Sequence, residues 1–259
     1  MKSALVLSAG GMFGAYQAAA WEVLSTYFRP DIVVGASIGS LNGWAIAGGC
    51  VPAEWVEHWR GLERGSRHRW RIPLSPLDGI LQPEPFEEWV RDVHASFTPK
   101  LDYGLVVTEL LRLRPRLVRG PEVTWEHLAA SCAILGLLPQ RRLNGCLCTD
   151  GGLLSSLPVW AAVEMGATRI VAINVLKSMP LTLRTIVSGV RALARTAPAN
   201  GADLKIYTVS PDHPLGTARD AIYWNREKIE RWIDLGRRDA FEKTFSLRDV
   251  LSDTKERVS

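Results

Sequence analysis

The sequence predicts an α/β protein with a mostly parallel central sheet. Short apolar runs of strand length occur at residues 4–8 (ALVLS), 31–34 (DIVV), 169–175 (RIVAINV) and 204–209 (LKIYTV). They show little polar alternation, as expected of strands buried on both faces. Each of the first two runs is followed by glycine and then by apolar residues at helical spacing, and repeated strand–glycine–helix units imply parallel pairing through helical crossovers.

In chain order, residues 4–8 form the first strand and residues 15–28 the first helix. Residues 31–34 form a second strand ending at Gly35, and residues 37–47 a helix closed by Gly48 and Gly49. Residues 52–60 and 85–94 read as helices. Between them, residues 61–82 are rich in Gly, Arg and Pro and read as a surface excursion. Residues 103–108 form a strand, Leu117 and Val118 a short strand or hairpin arm, and residues 124–133 a helix. A short strand or hairpin ends at Thr149 and delivers Asp150-Gly151-Gly152. Pro158 suits the first turn of a helix over 158–165, with Ser156 nearby as a cap. Residues 181–196 read as an amphipathic helix and residues 220–241 as a long terminal one. A single domain over residues 1–250 is expected, with residues 61–100 and 178–200 as variable surface or lid segments and 251–259 as a charged tail.

Net charge is +4 with a pI near 9.0, arginine far outnumbering lysine. The densest basic stretches are residues 67–71 and 112–119. Solvated surface explains them better than an anionic partner, and no nucleic-acid recognition module is visible. Cys50, Cys132, Cys146 and Cys148 have neither disulfide-scaffold density nor metal-site spacing, so reduced, packed thiols are expected. The apolar run after Met1-Lys2-Ser3 is too short for a signal-peptide core or a membrane span, and no later run reaches spanning length. The expectation is a soluble, cytoplasmic protein, with peripheral contact to a membrane left open. Of the ten tryptophans, Trp55, Trp59, Trp70 and Trp89 crowd the variable region. Packing accounts for most of them, and an acyl pocket or a membrane interface for a minority.

Three small motifs stand at predicted strand ends. Gly35-Ala36-Ser37-Ile38-Gly39 matches G-x-S-x-G, which sets a serine on a tight strand-to-helix turn over helical N–H groups. An ordinary N-cap serine is the competing reading. SAGGMFG, residues 8–14, lacks the first glycine of a dinucleotide fingerprint, and no acidic residue ends the second strand. Gly10 and Gly11 fit better as exposed amides facing a developing negative charge, or as a plain tight turn. Asp150, flanked by Gly151 and Gly152, is either a turn residue or a carboxylate whose burial makes it a better base. All three lie where α/β ligand sites form, at the carboxyl edge of a parallel sheet.

The order GGxxG, GxSxG, then DGG resembles the patatin-like phospholipase family, most closely its bacterial stand-alone members. The likeness extends to GAYQAAAWEVL, SCAILGLLP, DGGLLSSLPVWAAVEMGATRIVAINV and WIDLGRRDA. It implies a three-layer α/β/α sandwich of patatin type and a lipid acyl hydrolase working through a Ser–Asp dyad. Ser37 is then the nucleophile and Asp150 its base, with the oxyanion held by Gly10, Gly11 and the amide of Met12. Gly14, Gly35, Gly39, Gly151 and Gly152 support the turns. The substrate class is a lysophospholipid, a phospholipid or a simpler acyl ester, and neither metal nor cofactor is implied.

The chain departs from the family at Ala9, where a glycine is usual, and at Phe13, where Arg or Lys is common. The alternatives are a triad of Ser37, Asp150 and His213, an acyltransferase using the same acyl-enzyme, and a non-catalytic binding module. Only one complete strand precedes the strand carrying Ser37, which argues against the triad. His58, His68, His94 and His127 read as surface residues.

Overall fold

The computed structural model describes residues 1–62, 70–75, 77–176 and 204–252, with side chains as far as residue 244. The segment 178–200 and the helix expected over 181–196 lie outside the described residues, as do His68, residues 67–69 of the first basic stretch, and the tail from 253.

The strands are β1 (Lys2–Leu7), β2 (Ile32–Ala36), β3 (Asp102–Glu109), β4 (Arg114–Arg119), β5 (Arg141–Leu143), β6 (Cys146–Thr149), β7 (Ala167–Ile173) and β8 (Lys205–Val209). They form one sheet in the order β5-β6-β3-β2-β1-β7-β8, with β4 also paired to β3. β1, β2, β3, β7 and β8 are mutually parallel, whereas β4 and β6 run antiparallel to β3. The helices are α1 (Gly14–Leu24), α2 (Ile38–Ala47), α3 (Pro52–Gly61), α4 (Glu84–Ser96), α5 (Trp125–Ser131), α6 (Val159–Glu164) and α7 (Arg226–Ser252).

Alternation along β1 divides the core. Leu5 and Leu7 join the side chains of α1 to α5 and α7, while Ala4 and Val6 face Ala161, Ala162 and Met165 on and beside α6. A parallel strand covered by helices on both faces needs apolar residues at every position, which is why ALVL shows no alternation. No described helix is long and apolar enough to cross a membrane.

α7 crosses α1 closely: a Cβ at Gly236 would overlap the Tyr16 carbonyl, and Tyr16 Oη donates to Asp239 Oδ2 over 2.9 Å. Asn42 ties three helices together. Its Nδ2 donates to the Gly14 carbonyl and Gln17 Oε1, and its Oδ1 accepts from the indoles of Trp55 and Trp59, so this buried amide is fully satisfied.

Several boundaries differ from expectation, the terminal helix among them, which runs to Ser252 where 241 was expected. The first helix stops at Leu24, and residues 25–27 close as a turn before Pro30. The terminal helix begins at Arg226, because Asp220 folds residues 217–223 into turns of their own and Asn225 caps the Lys228 amide. Pro158 occupies the N-cap of α6 and not its first turn, with no side chain capping it, and the Ser156 carbonyl accepts from Ala9 N–H.

Candidate active site

The register of β3 brings two motifs together. β2 pairs with Asp102–Val106 on one edge and β4 occupies the other edge. β6 bridges at Thr108 and Glu109, on the first edge just past the end of β2. The residues that follow β2 and β6 therefore become neighbours. Those residues are Ser37 and Asp150.

Ser37 stands outside α2, at φ 54° and ψ −131°, a backbone state that non-glycine residues rarely adopt. Its neighbours enforce the bend. A Cβ at Gly35 would overlap the Gly39 carbonyl, and one at Gly39 would lie 2.5 Å from the Leu7 carbonyl oxygen. Ser37 N–H donates to Ser131 Oγ over 3.0 Å, Ser131 Oγ donates to the Val106 carbonyl, and Ser40 Oγ donates to the Ser37 carbonyl. The Ser37 hydroxyl does not cap α2. It donates to Asp150 Oδ2 over 2.6 Å.

Asp150 Oδ1 accepts from Gly152 N–H over 2.6 Å and so caps a short 3₁₀ turn, Gly151–Leu153. The carboxylate thus serves the turn with one oxygen and faces Ser37 with the other. A Cβ at Gly151 would overlap the Val106 carbonyl, so only glycine lets this turn lie against β3. Ser37 and Asp150 are 4% and 7% exposed. Burial pushes the Asp150 carboxyl up to about 6, against the opposing pull of the hydrogen bonds from Ser37 and Gly152.

Residues 9–14 form the opposite wall. Gly11 has φ 55° and opens a 3₁₀ turn, Gly11–Phe13. Among the described residues, the N–H groups of Gly10 and Gly11 meet no backbone acceptor. The Met12 N–H donates to the Ala221 carbonyl over 2.8 Å, so it can meet an oxyanion only when that carbonyl moves aside. The Ala221 carbonyl lies so close over Gly11 that a Cβ there would overlap it.

Both departures from the family pattern have a packing reason. Ala9 is not among the non-glycine residues of positive φ in the described structure, and its methyl group fills the space left by Gly152. Phe13 meets Trp232 of α7 edge to face, with ring centroids 4.9 Å apart. Gly14 is where Trp59 and Ile38 press closest.

A cavity of ≈ 60 Å³ lies beside Ser37, walled by Met12, Leu81, Trp89, Leu138 and Ile222 among others. Trp89 is held by a 2.8 Å hydrogen bond to His58 Nε2, and burial lowers the His58 pKa, favouring the neutral acceptor form. A volume of this size holds about two waters and no acyl chain. A larger groove of ≈ 690 Å³, bordered by Trp44, His94, Lys100 and Arg119, contains none of the three motifs. It includes Asp102 and Tyr103, at the start of β3.

No described histidine hydrogen-bonds Ser37 or Asp150. His94 meets the Val123 carbonyl, His127 caps α5, and His213 is exposed. The four cysteines are free. Ser131, Gln17 and Asn42 escaped the sequence reading, because a polar residue within a helical segment carries no local sign of what it meets across the fold. Gln17 Nε2 donates to the Ser8 carbonyl, so Gln17 and Asn42 together brace the glycine turn against α2.

A family model described as patatin-like phospholipase matches residues 5–163. The lysophospholipase NTE1 of Scheffersomyces stipitis is 26% identical over 178 residues, covering 66% of this chain and 11% of that protein. The lysophospholipase NTE1 of Lodderomyces elongisporus is 41% identical over 178 residues, covering 66% of this chain and 12% of that protein. The chain thus matches only about a ninth of the length of these relatives. The crystal structure of VipD from Legionella pneumophila shares the fold, with a TM-score of 0.54 at 11% identity over 95% of this chain and 67% of that one.

Proposed function

The chain belongs to the patatin-like phospholipase family, and from that membership we propose that it hydrolyses carboxylic esters of lipid acyl chains through an acyl-enzyme on Ser37. The observation that carries this reading is the 2.6 Å hydrogen bond from Ser37 Oγ to a buried carboxylate.

A serine hydroxyl needs a base to take its proton and donors to receive the oxyanion. Asp150 Oδ2 lies within reach of the proton, while Oδ1 is tethered to Gly152 and keeps the carboxylate in place. As Oγ attacks the ester carbonyl carbon, its proton passes to Asp150. The tetrahedral oxyanion is received by the N–H groups of Gly10 and Gly11, and by Met12 once the Ala221 carbonyl withdraws. Collapse breaks the carbon–oxygen bond to the leaving alcohol, which takes the proton from Asp150. Water, deprotonated by the same carboxylate, then attacks the acyl-serine carbonyl; the bond to Ser37 Oγ breaks, Oγ recovers the proton from Asp150, and the fatty acid leaves. With a pKa of about 6, Asp150 is mostly ionised at neutral pH yet more basic than an exposed aspartate.

The apolar walls beside Ser37 suit an acyl chain, and Ala221 and Ile222 must move to admit one. A fluorophosphonate ester probe followed by mass spectrometry tests the assignment. The expected result is an adduct on Ser37, absent in Ser37→Ala and much slowed in Asp150→Asn. Folded wild-type protein that takes no label would remove Ser37 as the nucleophile.

A further inference from the structure

We propose that a ribbon bordering the Ser37 cavity is a docking surface for an anionic lipid bilayer. This rests on the lipid-ester reading above and names the surface that brings the enzyme to its substrate.

The ribbon is small and hydrogen-bonded. Trp70 bridges Leu81, Arg71 N–H donates to the Ile80 carbonyl over 2.9 Å, and the N–H groups of Ile80 and Leu81 donate to the carbonyls of Gly136 and Leu137. It is also two-sided. Leu81, Leu137 and Leu138 turn inward and line the cavity that contains Ser37. Trp70, Ile72, Leu74 and Leu135 face solvent, Ile72 at 93% exposure and Leu74 at 100%, while Ile134 reaches both the surface and the cavity. Single exposed apolar residues are ordinary, but a row of them along one ribbon marks an interaction surface. Because these backbone groups already pair within the ribbon, the tip can enter a headgroup layer while keeping those bonds.

Charge selects the occupant. The Arg71 guanidinium donates to the backbone carbonyls of Gly79 and Asp78, and among the described residues no carboxylate pairs with it. Across the cavity, Arg219 is exposed over the Tyr223 ring, on the same segment as Ala221 and Ile222. The only acidic side chain on the described ribbon is that of Asp78, whereas Asp220 beside Arg219 is already paired with Lys228. Apolar side chains including a tryptophan, with arginines on two sides that pair with no carboxylate among the described residues, fit the boundary layer of an anionic membrane.

The test is co-sedimentation of the full chain with vesicles of phosphatidylcholine, with and without phosphatidylglycerol, at low and high salt. Wild type is expected to pellet with the anionic vesicles, less so at high salt. The double variant Ile72→Glu, Leu74→Glu should lose about tenfold or more in partitioning, while its hydrolysis of a water-soluble short-chain ester stays within about twofold of wild type. Arg71→Gln with Arg219→Gln should weaken binding and flatten its salt dependence. The proposal is overturned if wild type stays in the supernatant or if the double glutamate variant pellets equally well. It is equally overturned if wild type is a dimer in solution that the glutamates dissociate, which would assign the ribbon to a second copy. Vesicle binding without any turnover of soluble ester would instead sink the hydrolase reading and leave the docking surface standing.

Discussion

Ser37 and Asp150 lie 113 residues apart in sequence and share a 2.6 Å hydrogen bond, although the Ser37 backbone sits at φ 54° to make it. Such a conformation costs on the order of 1–3 kcal/mol and persists only where the surroundings over-determine it. Here the surroundings are two glycines that tolerate close backbone approach and two serines, Ser131 and Ser40, that hold the Ser37 amide and carbonyl.

Asp150→Asn should make the protein more stable and much less active. An aspartate raised by burial binds its proton more firmly folded than unfolded. Its contribution to stability is therefore full below the ordinary pKa and is lost as pH rises through about 6. The rise from 3.8 to about 6 corresponds to ~3 kcal/mol at pH 7.5, which a neutral amide does not lose. Denaturant unfolding should place Asp150→Asn above wild type at pH 7.5, with the two converging near pH 4. Ester turnover should fall roughly 10²–10⁴-fold.

The rate should depend on pH with a single acid limb. The base form of Asp150 disappears as pH falls through about 6, so kcat/KM is expected to decline tenfold per unit below that value. A limb centred near 4 would indicate a carboxylate in contact with water.

Gly152→Ala should destabilise the fold by about 1–3 kcal/mol, because the new methyl overlaps that of Ala9. Adding Ala9→Gly should recover part of the loss. Asp150 Oδ1, 2.8 Å from the same Cβ, limits the recovery. A double-mutant cycle measured by thermal or denaturant unfolding reads the coupling directly.

Ser131→Ala removes the acceptor for Ser37 N–H and the donor for the Val106 carbonyl. Loss of these buried bonds should cost ~1–3 kcal/mol in stability. As a positioning residue, Ser131 should affect kcat with little change in KM. A raised KM at unchanged kcat would assign it a binding role instead.

Asp220→Ala should speed labelling of Ser37 by the fluorophosphonate. Asp220 holds residues 217–223 folded through the Thr217 amide and hydroxyl and through Lys228, the strongest influence keeping its own pKa down at about 2. Releasing this segment frees the Ala221 carbonyl from Met12 and opens the cavity. An unchanged labelling rate would mean that entry is limited elsewhere.

The sequence alone determined the sheet class, because buried strands followed by glycine and by apolar residues at helical spacing are short-range patterns written into every few residues. It also marked Ser37, Asp150, Gly10 and Gly11, since tight strand-to-helix turns need glycine wherever they occur. Helix limits at Leu24 and Arg226 depended on turns and caps with weaker local signatures, and were misplaced by several residues. Tertiary structure decided what no local pattern encodes. The β3 register set Ser37 beside Asp150, and Trp232 received Phe13 where a cation is usual. Ser131 and Asn42 acquired their partners, and the Ala221 carbonyl came to rest on the Met12 amide. Each of these joins groups far apart in the chain, and their meeting depends on strand register and helix crossing, which only the assembled core specifies.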